Sequence, residues 1–250
     1  MSTDSPRRPF LSIVIPFYNE EENIVRVCEE VHQVLGDKIE GGWELVMVDD
    51  GSKDRTGELA DGLAAKHPHF RSVHLIPNSG QSAALEAGFR ASKGELIGTL
   101  DGDGQNDPAD LQILIENMKK RGVDMMCGVR ARRADNWVRK VSSRIGNGIR
   151  GRVLSDNISD VGCSMRVFRR ACVRNIGFFR NSHRFFPALF LMRGFKVAEM
   201  PVRHRQRMSG TSKYGGGINS RLWVGIADLA GVYWLKKRAL KYRTREHEKG

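Results

Sequence analysis

No run of apolar residues in this chain reaches the roughly 20 needed for a membrane-spanning helix. The longest candidate, "LWVGIADLAGVYWL" (222–235), stops at 14 residues and contains Asp228. The N-terminal "MSTDSPRRPF" has no apolar core of a secretory signal, so none is expected. Cysteine is scarce: Cys28, Cys127, Cys163 and Cys172 are far apart with no CxxC pair, which excludes a zinc ribbon or a disulfide framework and makes a reducing cytoplasm the default. There is no internal repeat. Acidic residues become rare past the midpoint. Residues 1–125 carry 13 Lys+Arg against 22 Asp+Glu, whereas 126–250 carry 28 against 7, so the net charge of +12 comes from an acidic half joined to a basic one.

The length of 250 residues and 40% apolar content allow one large α/β domain or two small ones. The acidic half alternates strand and helix. "FLSIVIPFY" is a strand ended at Pro16, and "NEEENIVRVCEEVHQVL" has Ile24, Val27, Val31 and Leu35 at helical spacing. "WELVMVDDGS" precedes the helical "DRTGELADGLAAKH", "FRSVHLI" precedes "SGQSAALEAGFRAS", and "ELIGTL" precedes "PADLQILIENMKKRG", with "VDMMCGV" a fifth strand. Such alternation predicts a mostly parallel sheet with helices on both faces. Ligands bind such sheets beyond the strands' carboxyl ends, where Pro16–Glu20, Asp49–Ser52 and Asp101–Gln105 converge. Past residue 130 the pattern loosens, with arginines crowding 130–152, a short "DVGCSMRVFRR", a late strand in "KVAEMPVRHRQR", a Gly/Ser-rich loop and a helix from Ile218 with Leu222, Ile226, Leu229 and Tyr233 on one stripe.

In "TLDGDGQNDPADL" three carboxylates, Asp101, Asp103 and Asp107, fall within seven positions. Like charges that close repel, so the loop is either well solvated or holds a cation. Asp107, before Pro108, reads as a helix N-cap, and Asp49 as a cap for the "DGS" turn.

"IVIPFYNEEENI", "VDDGSKDRT", "NSGQSAALEAGF", "DGDGQNDP" and "RQRMSGTSKY" follow one another as in family 2 glycosyltransferases. Over residues 10–215 the chain resembles the dolichol-phosphate mannose synthase and bacterial polyprenyl-phosphate glycosyltransferase branch of that family. The resemblance implies an α/β, Rossmann-like GT-A fold and an inverting, metal-dependent transfer from a UDP- or GDP-sugar to a polyprenyl phosphate. Asp101 and Asp103 then hold Mg²⁺ or Mn²⁺, with Gln105 as a further oxygen or a supporting group, and neutralise the departing diphosphate. Pro16, Tyr18, Glu20, Val48, Asp50, Asp101 and Gly102 match positions lining the nucleotide pocket, Tyr18 suiting contact with the base and Asp50 hydrogen bonds from base or ribose. "NSGQSAAL" offers small residues for close approach by the donor. Arg130, Arg139 and Ser143 match acceptor-phosphate contacts, and Arg207 and Lys213 of "RxxGxSK" contact donor and acceptor phosphates, with Asp103 completing the catalytic set. The acceptor's second pKa, about 6, leaves it ionised at neutral pH without a strong general base.

Asp160 either faces the acceptor or orients an arginine; Cys163 reads as packing and His204 as a polar strand residue. Residues 1–9 read as a flexible N-terminus, 10–217 as the catalytic domain (10–125 for nucleotide and metal, 126–217 for acceptor), and 218–250 as an amphipathic tail. Several resembled enzymes carry membrane-spanning helices after the catalytic domain. Here Trp, Tyr and seven Lys/Arg between 236 and 249 suit the headgroup layer of an anionic membrane, on its cytoplasmic face, with packing on the catalytic domain or on another subunit as the alternative. The "QxxRW" element of processive members is missing, which argues against polymer synthesis. Rivals are a family 2 enzyme with a carbohydrate or lipid-sugar acceptor, needing a general base, and a nucleic-acid-binding protein, which would leave the acidic strand ends unused.

Overall fold

The computed structural model describes residues 8–130, 148–156, 158–174, 176–206 and 218–239. The acidic half folds as its periodicity predicts: β1 (Leu11–Phe17), α1 (Ile24–Leu35), β2 (Trp43–Asp49), α2 (Thr56–Lys66), β3 (Phe70–His74), α3 (Gln81–Ala91), β4 (Leu96–Thr99), α4 (Asp110–Arg121) and β5 (Met125–Arg130). The basic half adds α5 over 148–154, β6 (Arg166–Arg169), α6 (Phe186–Met192), β7 (Val197–Val202) and α7 (Ile218–Arg238).

The strands form one sheet in the order β3-β2-β1-β4-β6-β5-β7. β1 pairs in parallel with β2 and β4, β2 with β3, and β5 with β7; β6 runs antiparallel between β4 and β5. Strand alternation divides the core in two. Ile13, Ile15, Leu45 and Met47 meet α1 and α4 through Ile24, Val31, Leu111 and Leu114 on one face. Val14, Val46, Val48 and Ile97 meet Ala84, Leu85, Phe89, Phe168, Phe186 and Phe190 on the other. Each such side chain contributes about 1.5–3 kcal/mol by leaving water. α3 lies unusually close to the sheet: a Cβ on Gly88 would sit 2.3 Å from Val14 Cγ1 and 3.0 Å from Val48 Cγ2, so the glycine costs helix propensity but permits the contact.

The parallel order β2-β1-β4 aligns three carboxyl ends, and the chain reverses its direction of sheet growth between β3 and β4. A switch point of this kind leaves a crevice at those ends. Asp50 N–H donates to Phe17 O (2.8 Å) and Leu100 N–H to Val14 O (3.3 Å), which carries the parallel pairing just past the strands and into the three loops.

α7 corrects one sequence reading. Its docked stripe is Asp228, Leu229, Val232 and Lys236, not one containing Ile226 and Tyr233, both of which are exposed. Asp228 accepts from Asn181 Nδ2 (2.9 Å), Leu229 and Val232 join the second core, and Lys236 Nζ donates to Leu154 O (2.6 Å) and Ser155 Oγ (3.0 Å). The other faces expose Trp223 (70%), Val224, Ile226, Trp234 (59%) and Leu235. Among the described residues no helix is long and apolar enough to cross a membrane.

Candidate functional site

β4 ends at Thr99, and the next seven residues turn tightly over the crevice. Gly102 is required by space, since a Cβ there would lie 2.5 Å from Phe17 Cδ1 and 2.9 Å from Pro16 O. Gly104 supplies a left-handed φ of 73°. Asn106, buried and not singled out by sequence, holds the loop's shape: its Oδ1 accepts the Asp101 N–H (2.8 Å) and the Ser164 hydroxyl (3.1 Å). Asp103 Oδ1 accepts the Gln105 N–H (3.1 Å), an Asx turn that orients the second carboxylate.

Asp101 accepts a hydrogen bond from Gln81 Nε2 (3.2 Å) and lies within reach of the Ser164 hydroxyl. Burial, and then the neighbouring Asp103 charge, push its carboxyl up to about 6, against the pull of Ser164, Arg166 and Arg130. Neither Asp101 nor Asp103 has an ion-pair partner among the described residues. Two carboxylates two residues apart with no ion-pair partner among the described residues form a donor set that fits a hard divalent ion, although no group of three or more His, Cys, Asp or Glu side chains among the described residues could hold a metal by itself. The Gln105 amide donates to Arg205 O (3.3 Å) and the Arg205 N–H returns to Gln105 O (2.9 Å), so Gln105 is tied to the segment after β7.

The other two loops are knit to each other. Asn19 N–H donates to Ser52 Oγ (2.9 Å), Lys53 N–H to Asn19 Oδ1 (2.7 Å), and Glu20 N–H to Thr56 Oγ1 (2.8 Å). Glu20 is buried, and its carboxylate accepts from Asn23 (2.5 Å). Asp49 caps its turn as the sequence suggests, accepting the Ser52 N–H at 3.0 Å.

The Asp50 carboxylate accepts from Asn78 Nδ2 (2.9 Å), Ser79 N (2.8 Å) and Gly80 N (2.9 Å), so it fastens the turn that starts α3. Burial raises its pKa despite these bonds. The Val48 side chain packs in the second core, which also holds Ala84, Leu85 and Phe89 of α3. Pro16 and Tyr18 are half-buried at the end of β1.

Arg130 lies at the end of β5 with Nε and Nη2 each 2.8 Å from the buried Asp160 carboxylate. Of the two roles open to Asp160, orienting an arginine is the one seen, and it offsets the charge Arg130 would bring to a phosphate. Arg139, Ser143, Arg207 and Lys213 lie outside the described residues. Cys163 is buried, and burial pushes its thiol up to about 11, as suits a packing residue. His204 forms an isolated β-bridge with Asn106.

Asp107 is not the N-cap of α4, a position that falls to Ala109; its Oδ1 accepts the Ala109 N–H at 3.1 Å in a turn just before the helix. It also pairs through Oδ2 with Arg203 (3.0 Å) and Arg205 (2.8 Å), while Asp110 takes Arg203 Nε (2.9 Å), Nη2 (2.8 Å) and backbone N–H (2.7 Å). These pairings span almost a hundred residues, and no local pattern signals them.

A family model described as Glycosyl transferase family 2 matches residues 12–177. The dodecaprenyl-phosphate galacturonate synthase of Rhizobium johnstonii is 35% identical over 244 residues, which cover 94% of this chain and 68% of that protein. The undecaprenyl-phosphate 4-deoxy-4-formamido-L-arabinose transferase of Edwardsiella ictaluri is 36% identical over 208 residues, 82% of this chain and 63% of that protein. The chain thus spans about two thirds of the length of these relatives. Among solved structures, a mannosyltransferase from Pyrobaculum calidifontis in complex with GDP-Man and Mn²⁺ superposes with a TM-score of 0.64 at 18% identity, covering 96% of this chain and 67% of that one. Glucosyl-3-phosphoglycerate synthase from Mycobacterium tuberculosis, with Mn²⁺, UDP and glucosyl-3-phosphoglycerate, gives 0.63 at 15% identity, covering 93% and 81%. At such identities the likeness is one of fold.

Proposed function

The chain belongs to glycosyltransferase family 2 with a GT-A fold, and on that premise we propose that it transfers a sugar from a nucleotide sugar to a polyprenyl phosphate with inversion at the anomeric carbon. The observation that carries the reading is the pair Asp101 and Asp103 at the switch point, two carboxylates in one tight loop without a cationic partner among the described residues. The relatives named for undecaprenyl- and dodecaprenyl-phosphate products supply the acceptor class.

Asp101 and Asp103 would hold a Mg²⁺ or Mn²⁺ ion, and what such an ion supplies is neutralisation of the charge that develops on the leaving diphosphate. An oxygen of the acceptor phosphate forms the new bond to the anomeric carbon as that carbon's bond to the nucleotide diphosphate breaks; the electron pair leaves with the diphosphate. The attacking phosphate is already ionised at neutral pH, so the chain's task is placement and charge control. Gln81 fixes Asp101, Asn106 fixes the loop backbone, and the bonds between Gln105 and Arg205 fix the loop to the segment leading into residues 207–213.

α7 supports work at an anionic membrane surface. Its narrow docked stripe leaves Trp223, Val224, Ile226, Trp234 and Leu235 exposed, and Lys236, Lys237 and Arg238 close its last turn. The reading is tested by incubating the protein with Mn²⁺ or Mg²⁺, a panel of UDP- and GDP-sugars and undecaprenyl phosphate in anionic vesicles. A metal-dependent gain of one sugar on the lipid phosphate, with released nucleotide and cosedimentation that weakens in W223S/W234S, is expected. Nucleotide release with a sugar or protein acceptor in place of the lipid would overturn the acceptor class, and equal sedimentation of the tryptophan variant would overturn the role of α7.

A further inference from the structure

Between the first turn of α3 and residues 178–184 the fold leaves a cavity of about 630 Å³. Its α3 side is built largely from small residues, Gly80, Ser82 and Ala83, which leave room for a ring. Its other side carries Arg180 and Arg184 together with Phe178 and Phe179. The lining has one carboxylate, Glu86, and Arg90 engages it at 2.6 Å. Neither the Arg180 nor the Arg184 side chain has a hydrogen-bond or ion-pair partner among the described residues. His183 adds no charge at neutral pH, since burial and then Arg184 and Arg166 push it down to about 3; its ring lies 2.8 Å from Ser82 Oγ and holds the segment against α3. The cavity therefore presents two cations with no answering anion.

Its place in the fold decides which part of a substrate reaches it. Gln81 both lines the cavity and donates to Asp101 at 3.2 Å, so one side chain separates the cavity from the carboxylates that would hold the metal ion on the donor's diphosphate. The sugar is bonded directly to that diphosphate, and it is the group within reach. Arg130, which family resemblance assigns to the acceptor phosphate, is not in the lining.

We infer that Arg180 and Arg184 select a donor whose sugar bears a carboxylate, a nucleotide-activated uronic acid, with the sugar ring in this cavity. The inference rests on the transferase reading above and deepens it by naming the class of sugar. A neutral hexose would leave both guanidinium groups to water, whereas a carboxylate accepts paired hydrogen bonds from the planar fork of an arginine. Phe178 and Phe179 offer aromatic surface, negative at the ring face, on which the C–H side of a sugar can lie. The carboxylate takes no part in the bonds made and broken, so the two arginines act on the choice of donor and leave the chemical step as it stands. The donor's diphosphate and the acceptor's phosphate share this anionic chemistry, and the test separates the three.

The test is calorimetric binding to the full chain with Mn²⁺, using UDP-glucuronate, UDP-galacturonate and GDP-mannuronate, each beside its neutral counterpart UDP-glucose, UDP-galactose or GDP-mannose, and farnesyl phosphate in a separate titration. An acidic donor is expected to bind about tenfold more tightly than its counterpart. R180A and R184A are each expected to remove most of that preference, with the affinities for the neutral donor and for farnesyl phosphate unchanged and partial recovery in R180K and R184K. Because both arginines are exposed, the variants are expected to melt like the unsubstituted protein. Equal affinity for every acidic donor and its counterpart overturns the assignment. So does a loss of the same size for both members of a pair, which would place the arginines on the diphosphate, or a loss confined to farnesyl phosphate, which would place them on the acceptor. An arginine-dependent preference for an acidic donor without transfer to any lipid phosphate would reject the transferase reading alone. Metal-dependent transfer of a neutral sugar with no acidic donor preferred would reject this assignment alone.

Discussion

Two pairs of carboxylates, only a few residues apart, are treated in opposite ways. Asp107 and Asp110 are bound by Arg203 and Arg205 through side-chain contacts of 2.8–3.0 Å and a backbone N–H at 2.7 Å. Asp101 and Asp103 have neutral donors and no ion-pair partner among the described residues, and the Asp101 carboxyl is pushed up to about 6 by burial and its neighbour. The difference teaches which acids the fold uses for itself. Arginines from beyond β7 neutralise the pair at the start of α4, and that neutralisation pins the loop so that the other pair is held close together at a cost in repulsion.

The largest effect that could break this contrast comes from removing charge at the unpaired end. Asp103→Asn is predicted to lower sugar transfer by about three orders of magnitude, because charge neutralisation at the leaving diphosphate is lost. Metal-free melting should stay level or rise, since Asp103 repels Asp101, and the stabilisation that Mn²⁺ gives the parent should vanish. Near-parental turnover would remove the metal assignment. A smaller and opposite signature is predicted for Asp110→Ala. It deletes three hydrogen bonds to Arg203, a side chain 58% exposed that can be rehydrated. The expected cost is about 2 kcal/mol of stability, or roughly 4–8 °C in melting temperature for a chain of this size, with transfer reduced less than tenfold. Loss of activity as deep as in Asp103→Asn, with unchanged melting, would erase the distinction.

The halves of the chain differ in how far sequence reaches. β1 to β5 and their helices follow from apolar periods of 2 and 3.6 because each element buries one face and turn residues punctuate it. β6 was hidden in "DVGCSMRVFRR": its four residues end in an exposed arginine, and its antiparallel place between β4 and β5 depends on a return of the chain that no local pattern encodes. α6 is apolar on nearly every side, so "FPALFLM" has no readable face. The stripe on α7 was misplaced for a related reason, because apolar residues surround much of that helix and a polar residue, Asp228, docks through Asn181. In the site, the loop carrying Asp101 and Asp103 is legible as a cluster of charge, and Asp49 as a turn cap. Asp50 was legible as an acid near the crevice, but not as the acceptor of three donors from residues 78–80. Val48 follows strand alternation into the core, and the partners of Arg130 and Asp107 lie too far along the chain for spacing to reveal.

A third treatment of carboxylates gives the smallest and most specific prediction. Asp49 and Asp61 share His74, with Nδ1 at 3.2 Å from the first and Nε2 at 2.9 Å from the second. The partner is thus a cation only while protonated. Burial draws the imidazole pKa down, but hydrogen bonds to Asp61 and Asp49 outweigh it, and the net shift is upward from 6.5. A raised folded-state pKa means the folded protein binds the proton more tightly than the unfolded chain. The contribution is complete below 6.5 and fades as pH rises through the raised value. The ring is 34% exposed, so solvent screens the pairing and its worth stays below about 1 kcal/mol. His74→Gln should therefore unfold slightly more easily than the parent in urea at pH 6 and indistinguishably at pH 8.5. Asp49 keeps its bond to the Ser52 N–H in both cases, so the turn beside the crevice should survive the change. A difference that grew toward alkaline pH would mean that His74 is held neutral, and that only arginine serves as an internal counter-charge to the acids around this crevice.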